Sequence, residues 1–163
     1  MELCSDTYAD TPMAYADTPM AYADVEIMAV QLIHQLHQLE ARGYTILFWE
    51  PSAITVTKKT GQIRYSLNDT AHYVPLHTKD TSQLFLICPA VFPLPAEKCA
   101  PELLHIPALP FLTHRSASYY SLALLCLAQL HLSLAELTGT KLFYFLERCL
   151  KSDPRERLPL ALL

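Results

Sequence analysis

Apolar side chains recur at helical spacing in the stretch "VEIMAVQLIHQLHQLEARG", residues 25–43. The apolar positions are Val25, Met28, Leu32, Leu36 and Leu39, with Ile27, Val30 and Ile33 broadening the same face. This period is typical of an amphipathic helix. Gly43 follows the last turn, where glycine is favoured because it adopts left-handed backbone without a steric penalty. The pattern therefore predicts a helix that ends at Gly43.

Two short segments with alternating polarity come next, "AITVT" at residues 53–57 and "QIRYSL" at residues 62–67. Alternation with period two is the mark of a half-buried β-strand. The connection "KKTG", residues 58–61, contains the glycine that a tight turn needs. These features predict a β-hairpin.

The remaining chain is predicted to be irregular and then helical. Residues 68–110 hold seven prolines, so this stretch is expected to be ordered only where it lies against a scaffold. Helical patterns return in "SASYYSLALLCLAQLHL" at residues 116–132 and in "KLFYFLERCLKSD" at residues 141–153. The fold class expected from these patterns is mainly α with a small β-hairpin.

A tandem heptapeptide precedes the first helix. "YADTPMA" occurs at residues 8–14 and again at residues 15–21, followed by "YAD". Pro12 and Pro19 fall once in each repeat and would interrupt a continuous helix, which argues against a coiled coil. Two interpretations stay open: a flexible low-complexity arm at residues 1–24, or an extended peptide whose Tyr and Met side chains dock on a partner. Residues 25–163 then form the folded domain.

Composition narrows the class of partner. The chain has 163 residues, 52% of them hydrophobic and 17% charged, with a net charge of −4. This size suits one domain with a real core. Because the chain is acidic and has no basic stripe, we expect no nucleic-acid partner.

Cysteine usage and hydropathy bear on the compartment. The five cysteines form no CxxC pair and no zinc-like spacing, which favours reduced thiols and a cytoplasmic protein. The most apolar run, residues 119–137, is interrupted by Ser121, Gln129, His131, Ser133 and Glu136. A membrane-associated helical protein stays a second alternative, but a helix enclosed by its own domain is favoured.

Four fragments resemble the C-terminal lobe of protein kinases. "EPSAITV" at residues 50–56 resembles the tail of the catalytic loop, and "SYYSLALL" at residues 118–125 resembles the central helix of the lobe. "APE" at residues 100–102 matches the end of the activation segment, and "RCLKSDPRER" at residues 148–157 is similar to a signature late in the lobe. Upstream of residue 25 nothing resembles the N-terminal lobe, and none of the three glycines forms a G-x-G loop.

The resemblance implies that the reactive positions have changed. Phe48 stands where a kinase has its catalytic base, Glu50 where it has the loop lysine, and Ala53 where it has the magnesium-binding asparagine. Leu67 stands at the other magnesium-binding position, and Asp69, two residues on, is a remote possibility for a metal ligand. Phosphoryl transfer depends on positioned charges. We therefore expect that the protein is not an enzyme and that it binds neither a cofactor nor ATP.

Other features of the resemblance are structural. Glu102 and Arg157 match kinase positions that form an ion pair between the activation segment and the late helices. Tyr44, Phe48 and Trp49 are expected to crowd the surface left uncovered by the missing lobe and to anchor a partner. The function expected is that of a pseudokinase acting as a protein-binding or scaffold module, either with another protein or by self-association. The first alternative is residual nucleotide binding or weak kinase activity.

Overall fold

The computed structural model describes residues 9–14, 17–68, 71, 73–76, 83–86, 94–106, 108 and 111–158, with backbone alone for Ala9 and residues 83–86. Three α-helices lie in these ranges: α1 (Tyr22–Ala41), α2 (Ala117–Leu130) and α3 (Lys141–Cys149). The strands in these ranges are β1 (Ala9–Pro12), β2 (Tyr44–Ile46), β3 (Ile54–Lys59), β4 (Gln62–Leu67), β5 (Tyr73–Pro75), β6 (Gln83–Leu86) and β7 (Phe111–His114).

The strands form three small antiparallel sheets, and this overturns the expected fold class. In the described residues the sheets have the orders β1-β3-β4, β2-β5 and β6-β7. The prediction of a mainly α fold with one hairpin and the character of a kinase C-terminal lobe is therefore wrong. The five strands outside the hairpin are three or four residues long, and β1 and β5 each end in proline. Such short segments give no alternation that can be detected in the sequence.

The predicted hairpin and helices are present with shifted ends. β3 and β4 pair from Ile54↔Leu67 to Lys59↔Gln62, and the turn residues Thr60 and Gly61 both have positive φ, 41° and 82°. This matches the type I′ turn favoured in two-residue hairpins. α1 begins at Tyr22, three residues before the predicted start, and Gly43 follows it with φ 87°.

Two glutamines of α1 close the outer edge of β4. Gln31 Oε1 accepts a hydrogen bond from Tyr65 N at 2.7 Å, and Gln31 Nε2 donates to Ile63 O at 3.3 Å. One turn later, Gln35 Oε1 accepts from Leu67 N at 2.9 Å and Gln35 Nε2 donates to Tyr65 O at 2.8 Å. Each side-chain amide thus supplies the donor and the acceptor that a neighbouring strand would supply. Since Ile63 O, Tyr65 N, Tyr65 O and Leu67 N are paired in this way, these four groups are not free to pair with another chain.

The N-terminal arm closes the other edge of the hairpin. β1 pairs with β3 from Ala9↔Lys58 to Pro12↔Thr55, and Met13 N donates to Ile54 O at 2.7 Å. The bond at Met13 makes Pro12 a non-hydrogen-bonded position, so its missing N–H would have pointed away from β3. Within residues 1–24, the described segment 9–14 therefore lies against the hairpin.

Gln129 of α2 contacts both ends of the segment that links β1 to α1. Its side-chain Nε2 donates to Ala14 O at 3.3 Å, and its backbone carbonyl accepts from Met20 N at 2.8 Å. Farther on, Tyr22 Oη accepts from Leu142 N at 2.9 Å. These contacts attach the arm to α2 and α3.

The buried side chains of the described residues form two clusters, and the chain passes from one to the other at residues 46–49. The main cluster joins α1, α2, α3 and the hairpin, and contains Trp49. A second, smaller cluster lies around Val74, Cys99 and Leu103, and contains Phe48. Adjacent aromatic residues thus serve two different cores.

Replacing Gln35 by alanine should destabilise the fold. Leu67 N and Tyr65 O would lose their partners at a partly buried edge, and an unsatisfied backbone group costs about 1–3 kcal/mol. The matched control is Gln38→Ala on the same helix, since the Gln38 amide contacts only the exposed His34 ring among the contacts described for it, at 3.0 Å. Urea unfolding monitored by circular dichroism measures both, and equal midpoints for the two variants would contradict the role given to Gln35.

Candidate functional site

The positions matched to kinase chemistry come together in space. Phe48, Glu50, Ala53 and Leu67 line one void, which also touches Ile46, Trp49 and Ala71. The volume of this void is about 10 Å³, whereas pockets for small molecules measure about 300–1,000 Å³. Phe48 and Ala53 are each 6% exposed. Among the described residues, these positions form a packed wall rather than a cleft.

The three aromatic residues expected to anchor a partner are placed differently from one another. Trp49 is 2% exposed; its indole Nε1 donates to Ser118 O at 2.9 Å, and its backbone N donates to Ser121 Oγ at 2.9 Å. Phe48 lies in the smaller core cluster. Tyr44 alone of the three is exposed, at 47%. Phe48 and Trp49 therefore lie in the interior. Each aromatic ring packs in one of the two core clusters, and the indole N–H of Trp49 has a hydrogen-bond partner there.

Glu50, the polar member of the kinase-matched set, is paired with a cation. Lys98 Nζ lies 2.6 Å from Glu50 Oε1, and both side chains are partly buried. Lys98 belongs to a short 3₁₀ turn, Ala96–Lys98, just before the "APE" segment. Sequence reasoning missed this pair, since nothing in the spacing of residues 50 and 98 indicates that they meet.

The structure brings Glu102 and Arg157 together. Arg157 Nη1 donates to Glu102 Oε1 at 2.6 Å and Arg157 Nη2 donates to Glu102 Oε2 at 2.9 Å, a bidentate pair. Arg157 is 1% exposed. Two further donors are used as well: Nε donates to Lys151 O at 2.7 Å and Nη2 to Ser152 O at 3.1 Å. A buried guanidinium with this number of charge-assisted hydrogen bonds fixes several segments at once.

The contacts of Arg157 with Glu102, Lys151 and Ser152 form what we call the Arg157 junction. This junction also reaches α2. The guanidinium carbon lies 4.8 Å from the centre of the Tyr120 ring, within the range of a cation–π contact. Ser116 Oγ, at the start of α2, donates to Pro154 O at 2.7 Å. The chain after α3 is therefore tied both to the turn Pro101–Leu103 and to the N-terminus of α2.

A second polar cluster lies between the end of α1 and the start of α2. The Glu40 side chain is 6% exposed, and its Oε2 lies 3.4 Å from Arg115 Nη1. Its Oε1 and the hydroxyl of Thr45 on β2 are both buried and have no hydrogen-bond partner among the described residues. Burial raises the pKa of the Glu40 carboxyl, and the Arg115 charge and the nearby Thr45 hydroxyl oppose this shift only in part. Glu40 gave no signal in the sequence, because a charged residue near a helix end is ordinarily solvated.

A groove with a volume of about 770 Å³ runs between α1 and β4. Its walls carry Ile27 and Val30, each 42% exposed, beside polar residues that include His34 and Arg64. The periodicity of α1 placed Ile27 and Val30 at the border of the apolar face, and the structure leaves both partly outside the core.

Two further findings concern metals and membranes. Within the ranges that the structure describes, no group of three or more His, Cys, Asp or Glu side chains is arranged to hold a metal ion. Asp69, the remote metal candidate, lies outside the described residues. No helix of the described chain combines the length and the apolarity needed to cross a membrane.

No protein-family model matches this sequence, and no curated protein matches it significantly. The resemblance of the four fragments to protein kinases therefore stays a prediction.

Replacing Glu102 by glutamine should strongly destabilise the protein. Arg157 would stay buried with its charge uncompensated, and breaking such a pair costs about 3–5 kcal/mol. The matched control is Glu147→Gln, which removes a more exposed i,i+4 pair with Lys151 at 2.9 Å and should leave stability nearly unchanged. Urea midpoints measure both variants, and a loss for Glu147→Gln as large as that for Glu102→Gln would show that the Arg157 junction has no special role.

Replacing Glu40 by glutamine should stabilise the protein above the pKa of the folded carboxyl. Because the pKa is raised on folding, the folded state favours the neutral carboxyl. The wild-type protein therefore loses stability as pH rises through the pKa of the folded state. Glutamine is neutral at every pH. The melting temperature of the variant minus that of the wild type should be near zero at pH 4 and positive at pH 8, and a difference that does not change with pH would contradict this.

Proposed function

We propose that this chain is a non-catalytic protein-binding module. The observation that carries the proposal is the packing of the kinase-matched positions: Phe48, Ala53 and Leu67 are apolar residues around a void of about 10 Å³. Glu50 at the same place is held by Lys98 at 2.6 Å. Phosphoryl transfer needs positioned charges and room for a nucleotide, and this arrangement supports a binding role instead.

The surface that suits a protein partner best is the groove between α1 and β4. Ile27 and Val30 lie three residues apart on one side of α1, so they are neighbours on the helix surface. Each leaves about two-fifths of its area in water. An exposed apolar pair rimmed by glutamine, histidine and arginine side chains has the composition of a protein-binding surface, with an apolar centre and a polar rim. The groove is partly open to solvent, which suits a protein surface better than a small ligand.

Residual nucleotide binding is less well supported. A nucleotide would need the space that Phe48 and Leu67 help to fill, together with cations for its phosphates. Lys98, the cation near this place, already pairs with Glu50. A rise in the melting temperature on addition of ATP and Mg²⁺ would favour this alternative over the binding module.

The double variant Ile27→Asp, Val30→Asp should lose the partner without unfolding. Both side chains are substantially exposed, so the charges remain solvated in the free protein but would be desolvated in a complex. Wild type and variant, immobilised as bait in extract of the native source, are compared by quantitative mass spectrometry. We expect the proteins retained by the wild type to fall at least about tenfold with the variant, as a loss of about 1.4 kcal/mol or more would give.

The control for this experiment is Tyr144→Asp, which changes another exposed residue, on α3. It should retain the same proteins as the wild type. Retention that is equal for all three baits would reject the groove as the binding surface.

A further inference from the structure

The first heptapeptide is bound to the hairpin in the way that an extended peptide binds a sheet edge. Four residues pair with β3 in regular antiparallel register, from Ala9↔Lys58 to Pro12↔Thr55. Adding a strand to an exposed edge is a recurrent mode of peptide recognition, with affinity from the backbone and specificity from side-chain pockets.

Side chains supply the specificity at this edge. Asp10 Oδ1 accepts a hydrogen bond from Thr57 Oγ1 at 2.8 Å. Met13 is 7% exposed and belongs to the main core cluster, so it acts as an anchor in a socket. Pro12 fits because its position directs no N–H toward β3. The contacts therefore select an extended Ala-Asp-Thr-Pro-Met segment.

The connection between this segment and the rest of the chain is long enough to let it leave. Eight residues, 14–21, separate Met13 from the start of α1 at Tyr22. Fully extended, eight residues span about 26–29 Å. Gln129 of α2 accepts a hydrogen bond from Met20 N and donates one to Ala14 O in this connection. A segment on such a tether can reach the same edge of a neighbouring copy, which is the geometry of strand exchange between identical chains.

We propose that the β3 edge and the Met13 socket form a peptide-binding site, and that the Ala-Asp-Thr-Pro-Met segment of a second copy of this chain occupies it when the chain's own segment is displaced. The chain's own segment is favoured because its tether gives it an effective concentration of about millimolar. This site is on the opposite edge of the sheet from the α1–β4 groove, so it does not depend on the function proposed for that groove.

Two full-length variants that each carry one new cysteine test the proposal. The first is Asp10→Cys. The second is Thr57→Cys with Met13→Asp, which weakens docking of its own segment. Residues 10 and 57 face each other at a non-hydrogen-bonded pair, where side chains are closest. A disulfide between residues 10 and 57 of the two proteins exceeds the level of random collision only if the segment of the first lies on the β3 edge of the second.

The variants are mixed in a glutathione redox buffer, and the mixed disulfide is measured by mass spectrometry of the peptides that a disulfide joins between residues 10 and 57. We expect at least about tenfold more mixed dimer than in a mixture whose second protein carries Thr57→Cys alone. In that protein the chain's own tethered segment competes for the site. In a control that measures random collision, Thr57→Cys is replaced by Tyr144→Cys, since Tyr144 is an exposed residue of α3. A mixed dimer no more abundant than this control overturns the proposal.

Met13→Ala provides a second, milder way to weaken the chain's own segment if Met13→Asp lowers the yield of folded protein. The melting curve of each variant shows that it is folded before mixing. With Met13→Ala the mixed dimer should fall between the values for Met13 and for Met13→Asp. A yield that is the same with and without the Met13→Ala change rejects the Met13 socket as part of the site.

Discussion

The backbone groups along the two edges of the β3–β4 hairpin must be paired, and the surrounding structure is arranged to pair them. A two-stranded hairpin is at best marginally stable in water. Here the amides of Gln31 and Gln35 complete one edge, and a strand from the N-terminal arm completes the other. The helix that carries the glutamines also contributes its apolar face to the main core. Edge pairing and core packing therefore hold α1 in the same position.

The glutamine contacts show why a helix can replace a strand at a sheet edge. Residues four apart on a helix are about one turn apart along its axis, about 6 Å, and alternate residues of a strand are separated by a similar distance, about 6.6–6.8 Å. Gln31 and Gln35 therefore meet successive hydrogen-bonding sites of β4 without distortion of either element. A single glutamine would have closed only half of the edge.

The sequence predicts the elements that have long periodic patterns and fails where the pattern is short. α1, α2, α3 and the hairpin are where the apolar spacing indicated, since each repeats its period over at least one full turn or several alternations. β1, β2, β5, β6 and β7 are set by partners that are distant in the chain, as β2 shows by pairing Thr45 with Val74. The predicted fold class was wrong because local sequence patterns do not indicate these strands.

The site shows the same division between local and distant information. The resemblance to kinases led to Glu102 and Arg157, which the structure joins by two hydrogen bonds. It gave no indication of Lys98 or Arg115, whose carboxylate partners lie 48 and 75 residues away. Phe48 and Trp49 were expected at a surface because the resemblance implied a missing lobe, whereas the chain covers both side chains itself.

The two contacts of Gln129 have a consequence for how this gene product can vary. They hold Ala14 and Met20 at one residue of α2, so the intervening chain is a loop whose ends are fixed. Doubling the length of such a loop costs only about 0.6 kcal/mol in closure entropy. Tandem repeats gain units when DNA is copied, and an extra heptapeptide inserted here would lengthen the loop without moving either attachment point. An added repeat at this position should therefore cost the fold little stability.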